Sequence, residues 1–208
     1  MVAALCAFLM APPVRAAAPP LKIVALGDSL TAGYGLPGDA AFPARLQAAL
    51  RAKGYNVTVV NAGVSGDTTT AGLDRLAWSV PDGTGGVILE LGANDALRGV
   101  DPKVTKAALE KILDRLAQRR IPVLLAGMRS PRNMGPDYVK AFDAIFPALA
   151  ASHQVTFYPF FLVGVATDPK LNQADGMHPN PDGVDVIVQH MLPSVEELIA
   201  RAKKARAS

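Results

Sequence analysis

Short apolar runs recur along this chain at residues 23–26, 57–60, 87–91 and 123–126, and each is bounded by Gly, Pro, Asn or Asp. Runs of four or five largely apolar residues between turn formers suit strands buried on both faces, the pattern of a parallel sheet sandwiched by helices. The intervening segments change period. Phe42, Leu46, Ala49 and Leu50, and then Val104, Ala108, Leu109, Ile112, Leu113 and Leu116, recur at helical spacing. Tyr138, Phe142, Ile145 and Leu149 predict a further helix before a short strand at 155–157, and Val184, Ile187, Val188, Met191, Val195 and Leu198 predict a C-terminal one. Pro147 and Pro193 are expected to kink these last two helices.

Repeated βα alternation with right-handed crossovers gives an α/β fold. The expected architecture is a three-layer α/β/α sandwich with a flavodoxin-like parallel sheet of strand order 2-1-3-4-5. At 208 residues, half of them hydrophobic, the chain suffices for one core, so a single domain over 19–208 is expected. Residues 1–18, MVAALCAFLMAPPVRAAA, resemble a secretory signal peptide, with Ala16 and Ala18 in an A-x-A arrangement, so a periplasmic or secreted location is expected. No Lys or Arg precedes its apolar run, so either the true start lies upstream or the signal is atypical. Cys6, the only cysteine, lies within that segment, which leaves the mature chain without disulfides, thiol nucleophiles or cysteine metal sites. No later stretch is apolar enough to span a membrane. The net charge of +3 owes much to Arg201, Lys203, Lys204 and Arg206, read as a solvated helix end and not as a nucleic-acid or membrane patch.

In a doubly wound sheet, ligands bind beyond the carboxyl ends of the strands. The residues there are Gly27-Asp28-Ser29, Asn61-Ala62-Gly63, Gly92-Ala93-Asn94-Asp95 and, near the end of the chain, Asp175-Gly176-Met177-His178. Of the three histidines, His178 alone stands beside a carboxylate in a loop, and Asp175 is spaced to reach the far nitrogen of its ring. His153 and His190 read as structural or exposed. Ser29 after a buried strand is open to two readings, a nucleophile at the sheet rim or a helix N-cap. The Ser29 N–H, the Gly63 N–H and the Asn94 side-chain amide are three donors that a tetrahedral oxyanion would use. Gly63 and Asn94 read equally well as turn residues.

The four blocks Gly27-Asp28-Ser29-Leu30, Asn61-Ala62-Gly63, Gly92-Ala93-Asn94-Asp95 and Asp175-Gly176-Met177-His178-Pro179 resemble, in order and spacing, those of the SGNH (GDSL-type) hydrolases. The strings Ser65-Gly66-Asp67-Thr68 and Glu90-Leu91-Gly92-Ala93-Asn94-Asp95-Ala96-Leu97-Arg98-Gly99 are similar to the bacterial arylesterases, lysophospholipases and multifunctional acyl-CoA thioesterases of that family. The resemblance implies a serine esterase acting on small-molecule aryl, short to medium acyl, lysophospholipid or thioester substrates. Its catalytic residues would be Ser29, Asp175 and His178, and its oxyanion hole Ser29, Gly63 and Asn94. It implies no metal and no cofactor. No Gly-x-Ser-x-Gly elbow surrounds Ser29, which disfavours an α/β-hydrolase.

Three other readings stay open at this point. One is a carbohydrate O-deacetylase with the same triad. Another is a hydrolase whose metal is held by Asp28, Asp67, Asp95, Asp175 and His178. The third is a non-enzymatic flavodoxin-like module whose glycine-rich strand ends, Gly33 and Gly35 included, cradle a ligand. Met128, Pro131, Phe160, Phe161 and Leu162 form either an acyl trough or core.

Overall fold

The computed structural model describes residues 19–207, so the expected signal segment lies outside the described residues. The chain runs β1 (Leu21–Gly27), α1 (Ser29–Ala32), α2 (Phe42–Ala52), β2 (Val57–Gly63), α3 (Thr69–Asp74), α4 (Leu76–Ser79) and β3 (Gly86–Glu90). It continues through α5 (Ala93–Leu97), α6 (Pro102–Gln118), β4 (Val123–Ala126), α7 (Pro136–Asp143), α8 (Ile145–His153), β5 (Thr156–Tyr158) and α9 (Pro181–Ala207). The five strands form one parallel sheet of order β2-β1-β3-β4-β5, as the alternation predicts. Helices α2 and α9 pack on one face, and α3, α6 and α8 lie on the other side. The central strands β1 and β3 bury nearly every side chain. β2 is an edge strand, and Val60 on it is exposed, a departure from the fully buried run expected there.

Local chemistry sets the helix ends. Asp101 accepts the Lys103 N–H ahead of α6, with Pro102 at the first helical position, where its missing donor costs nothing. Asn180 and Pro181 repeat the device ahead of α9, with the Asn180 side chain accepting the Gly183 N–H. On α6 the buried stripe is Thr105, Ala108, Leu109, Ile112, Leu113 and Leu116, whereas Val104 is exposed. Thr105 takes the inward place because its hydroxyl donates to the buried Asp95 at 3.0 Å. Pro147 kinks nothing. The expected single helix breaks at Ala144 into α7 and α8, which puts Pro147 in the first turn of α8, where its N–H would have no intrahelical acceptor. α9 continues through Pro193 as one helix.

Arg75 ties the rim together from beneath. Its nearly buried guanidinium pairs with Asp67 and donates to the carbonyls of Ala62 and Gly27, each at 2.8 Å, and to the Ser79 hydroxyl at 2.9 Å. It thereby joins the ends of β2 and β1 to the α3–α4 segment. Arg75→Ala would leave the half-buried Asp67 without its cation and the Ala62 and Gly27 carbonyls without the guanidinium donors, and is expected to lower the unfolding free energy by about 2–4 kcal/mol in urea titrations.

Candidate active site

The four segments named from sequence do meet at one end of the sheet. Asp28 leaves β1 and caps α1, its Oδ1 accepting the Leu30 N–H at 3.0 Å. Ser29 is therefore the first helical residue and not the cap. Its hydroxyl has no capping duty, and its N–H lies in the first turn, where backbone donors lack intrahelical acceptors. His178 Nε2 lies 2.9 Å from Ser29 Oγ, and His178 Nδ1 lies 2.7 Å from Asp175 Oδ2. The other oxygen of Asp175, Oδ1, accepts the backbone N–H groups of Met177 at 2.9 Å and His178 at 3.0 Å. These N–H groups, and then the imidazole, hold the Asp175 carboxyl down at about 2, so it is ionised across any working pH.

The loop bearing this pair is stitched in place. Gln173 donates its N–H to the His178 carbonyl at 2.8 Å and its side-chain amide to the carbonyls of Tyr34 at 2.7 Å and Pro179 at 3.0 Å. The Tyr34 ring lies against the imidazole, with centroids 4.7 Å apart. Sequence reasoning did not single out Gln173 or Tyr34, because neither spacing nor residue type signals contacts between distant loops.

Asn94 enters from the third strand. Gly92 turns the chain with φ 121°, a conformation side chains rarely adopt, and Asn94 follows in α5. Its amide donates to Asp28 Oδ2 at 3.2 Å, and both Asn94 and Ser29 line the same groove. Gly63 is different. It ends β2 beside α1, but its N–H donates to Asn61 Oδ1 at 3.0 Å, and the Asn61 amide is itself bonded to the Ala32 carbonyl at 3.1 Å. The Gly63 donor is thus engaged, and a ligand oxygen must draw it from Asn61.

A groove of about 400 Å³ runs over Ser29 and His178. Met128, Pro131, Phe160 and Leu162 line it as the trough reading expects, joined by Leu30, Tyr34, Leu97 and Met177. Phe161 does not. It is fully buried and packs edge-on to Phe42 at 5.1 Å, as part of the core. His153 has a partner that the sequence did not disclose, Asp114 Oδ1 at 3.8 Å, and His190 Nδ1 approaches the Val163 carbonyl at 3.2 Å; neither lines the groove.

The carboxylates considered as metal ligands do not converge. Asp67 is paired with Arg75, and Asp95 accepts from Thr69 N–H and Oγ1 and from Thr105. Among the described residues no group of three His, Cys, Asp or Glu side chains is arranged to hold a metal ion.

Asp28 is fully buried, and desolvation pushes its carboxyl up to about 6 against the lowering influence of the Leu30 N–H and the Asn94 amide. An unfolded aspartate binds its proton only near pH 4, so between about pH 4 and 6 the folded chain holds the extra proton and becomes more stable as pH falls. The contribution is lost as pH rises through about 6. In urea titrations at stepped pH, Asp28→Asn is expected to flatten this rise relative to wild type.

The profile of the GDSL-like lipase/acylhydrolase family matches residues 25–186, which contain every residue of this site. The chain belongs to that family. Proteins similar to this GDSL-family chain include an arylesterase from Vibrio mimicus, 43% identical over 162 residues that cover 77% of this chain and 81% of the relative. Thioesterase 1/protease 1/lysophospholipase L1 of Escherichia coli (strain K12) is 40% identical over 193 residues, 92% of this chain and 91% of that one. Among solved structures, AlinE4, an esterase of the SGNH-hydrolase family, superposes with a TM-score of 0.74 at 44% identity, covering 88% of this chain and 98% of AlinE4. The fold of this GDSL hydrolase is thus that of its family.

Proposed function

We propose that this GDSL hydrolase is a serine carboxylic-ester hydrolase that works through an acyl-enzyme on Ser29. The observation that carries the reading is the unbroken line from Ser29 Oγ to His178 Nε2 to Asp175, with spacings of 2.9 and 2.7 Å. His178 takes the serine proton as Oγ attacks the ester carbonyl, and Asp175, ionised, stabilises the imidazolium and fixes its tautomer. The oxyanion is met by the Ser29 N–H, the second N–H of the Asn94 amide and the Gly63 N–H, the last released from Asn61. The imidazolium then protonates the leaving alcohol or thiol, and water hydrolyses the acyl-enzyme by the same route.

The names of the relatives, arylesterase and thioesterase/lysophospholipase, support aryl esters, acyl esters and acyl thioesters as the substrate range. The apolar lining of the groove suits short to medium acyl chains. We further propose that residues 19–208 act as one domain and that residues 1–18 direct the chain to the periplasm or beyond. Among the described residues no helix is long and apolar enough to cross a membrane.

Hydrolysis of p-nitrophenyl acetate, butyrate and octanoate by the purified protein, undiminished after dialysis against EDTA, is the expected result. Loss of activity in EDTA with recovery on adding a divalent ion would contradict the serine mechanism.

A further inference from the structure

Beneath the reacting groups lies a second acid that the mechanism leaves untouched. Glu90 ends β3 in register with Gly27 of β1, and it is fully buried. Its Oε2 accepts the Thr31 hydroxyl at 2.7 Å and the Asp28 N–H at 3.4 Å, whereas Oε1 is enclosed with no hydrogen-bond partner. A Cβ at position 27 would come within 2.6 Å of Oε2 and 2.1 Å of Thr31 Oγ1, so only glycine there leaves room for this carboxyl against α1. Asp28, equally buried, is the next residue along. The ionisable groups that act on Asp28 besides Glu90 are His178 and Asp67, and Arg75, which pairs with Asp67, reaches the adjoining Gly27 carbonyl; among the described residues no Lys or Arg bonds to either carboxyl.

Two adjacent buried carboxyls with no cation bonded to either do not both ionise. The hydrogen bonds decide which one keeps the proton. Each oxygen of Asp28 has a donor, the Leu30 N–H on one and the Asn94 amide on the other, whereas Glu90 leaves one oxygen bare. Burial and the neighbouring Asp28 charge both hold a proton on Glu90, well above the ordinary carboxyl range.

We propose that Glu90 is a positioning residue that carries a proton in the active enzyme, so that the pair's single negative charge rests on Asp28 and pins the Asn94 amide beside Ser29. The inference rests on the oxyanion role given to Asn94 above. Were Glu90 to ionise, Asp28 would take up the proton, and a neutral Asp28 would hold the amide more weakly or donate to its oxygen, turning the N–H away from the groove. Glu90 touches no substrate and acts only through Asp28.

Infrared spectra of protein carrying ¹³C-carboxyl glutamate test this at about pH 8, where ordinary glutamates are ionised. The expected result is an isotope-sensitive band of an un-ionised carboxyl that disappears in Glu90→Gln. Glu90→Leu, which gives Thr31 and the Asp28 N–H no acceptor, should lower kcat by about tenfold or more with a smaller change in KM. Glu90→Gln, neutral and of the same shape, should restore kcat to within about threefold of wild type and leave the acid limb of its pH profile in place. The absence of the un-ionised band, or an acid limb moved down by about one pH unit in Glu90→Gln, would show that Glu90 is charged beside Asp28 and overturn the proposal. Labelling of wild type by a fluorophosphonate separates the two readings. An adduct on Ser29 without the infrared band would defeat the Glu90 inference alone, whereas no adduct on Ser29 would defeat the serine mechanism to which the oxyanion role of Asn94 belongs.

Discussion

Ser29→Ala is expected to lower kcat for p-nitrophenyl butyrate by about 10⁴- to 10⁶-fold, the loss that follows when a nucleophile working as a unit with its base is removed. The same variant should unfold within a few degrees of wild type. Capping of α1 belongs to Asp28, which accepts the Leu30 N–H, so deleting the Ser29 hydroxyl removes no helix-end hydrogen bond. That separation makes the experiment informative: a kinetic collapse without a stability change assigns Ser29 to chemistry, and a modest loss in kcat would return it to a structural role. Differential scanning calorimetry alongside steady-state kinetics reads both.

Asn94→Ala carries the second largest expected effect. An oxyanion donor acts where charge develops, so its loss should appear in kcat, by about 10²- to 10³-fold, with KM changed only a few-fold. The Asn94 amide is suited to this because Asp28 Oδ2 holds one of its N–H groups at 3.2 Å, which leaves the other to face the groove without reorganisation. The Gly63 N–H is bonded to Asn61 Oδ1, so its loss to an oxyanion would exchange one acceptor for another, and the effect expected of it is smaller. An Asn94→Ala variant that raised KM while keeping kcat would place this residue in ground-state binding.

Much of this is legible in the amino-acid sequence. Strands buried on both faces leave largely apolar runs, so β1, β3 and β4 stand out; the residues after β1 and β3 place Ser29 and Asn94 on one rim, and the Asp-x-x-His spacing marks the Asp175/His178 loop that meets them. The failures have physical reasons. Thr105 displaced Val104 from the core because a buried carboxylate, Asp95, needed its hydroxyl, and hydrophobic periodicity cannot register such a demand. Phe161 and Leu162 are adjacent, yet one is core and the other groove wall, a distinction fixed by a loop conformation that no periodic pattern encodes. Arg75 and Gln173 bind rim segments far apart in sequence through carbonyl oxygens, which every residue possesses, so no residue type marks their partners. Glu90 was legible only as one letter in a longer string. Its enclosure beside Asp28 depends on how closely α1 settles over Gly27.

Whether Ser29 Oγ becomes acylated is asked directly by a serine-reactive fluorophosphonate followed by peptide mass spectrometry. The expected result is a single stoichiometric adduct on the peptide containing Ser29, formed at a rate that parallels the loss of esterase activity and absent from His178→Ala under the same exposure. Complete inhibition with the adduct on another residue, or full ester hydrolysis by protein whose Ser29 is quantitatively modified, would contradict it.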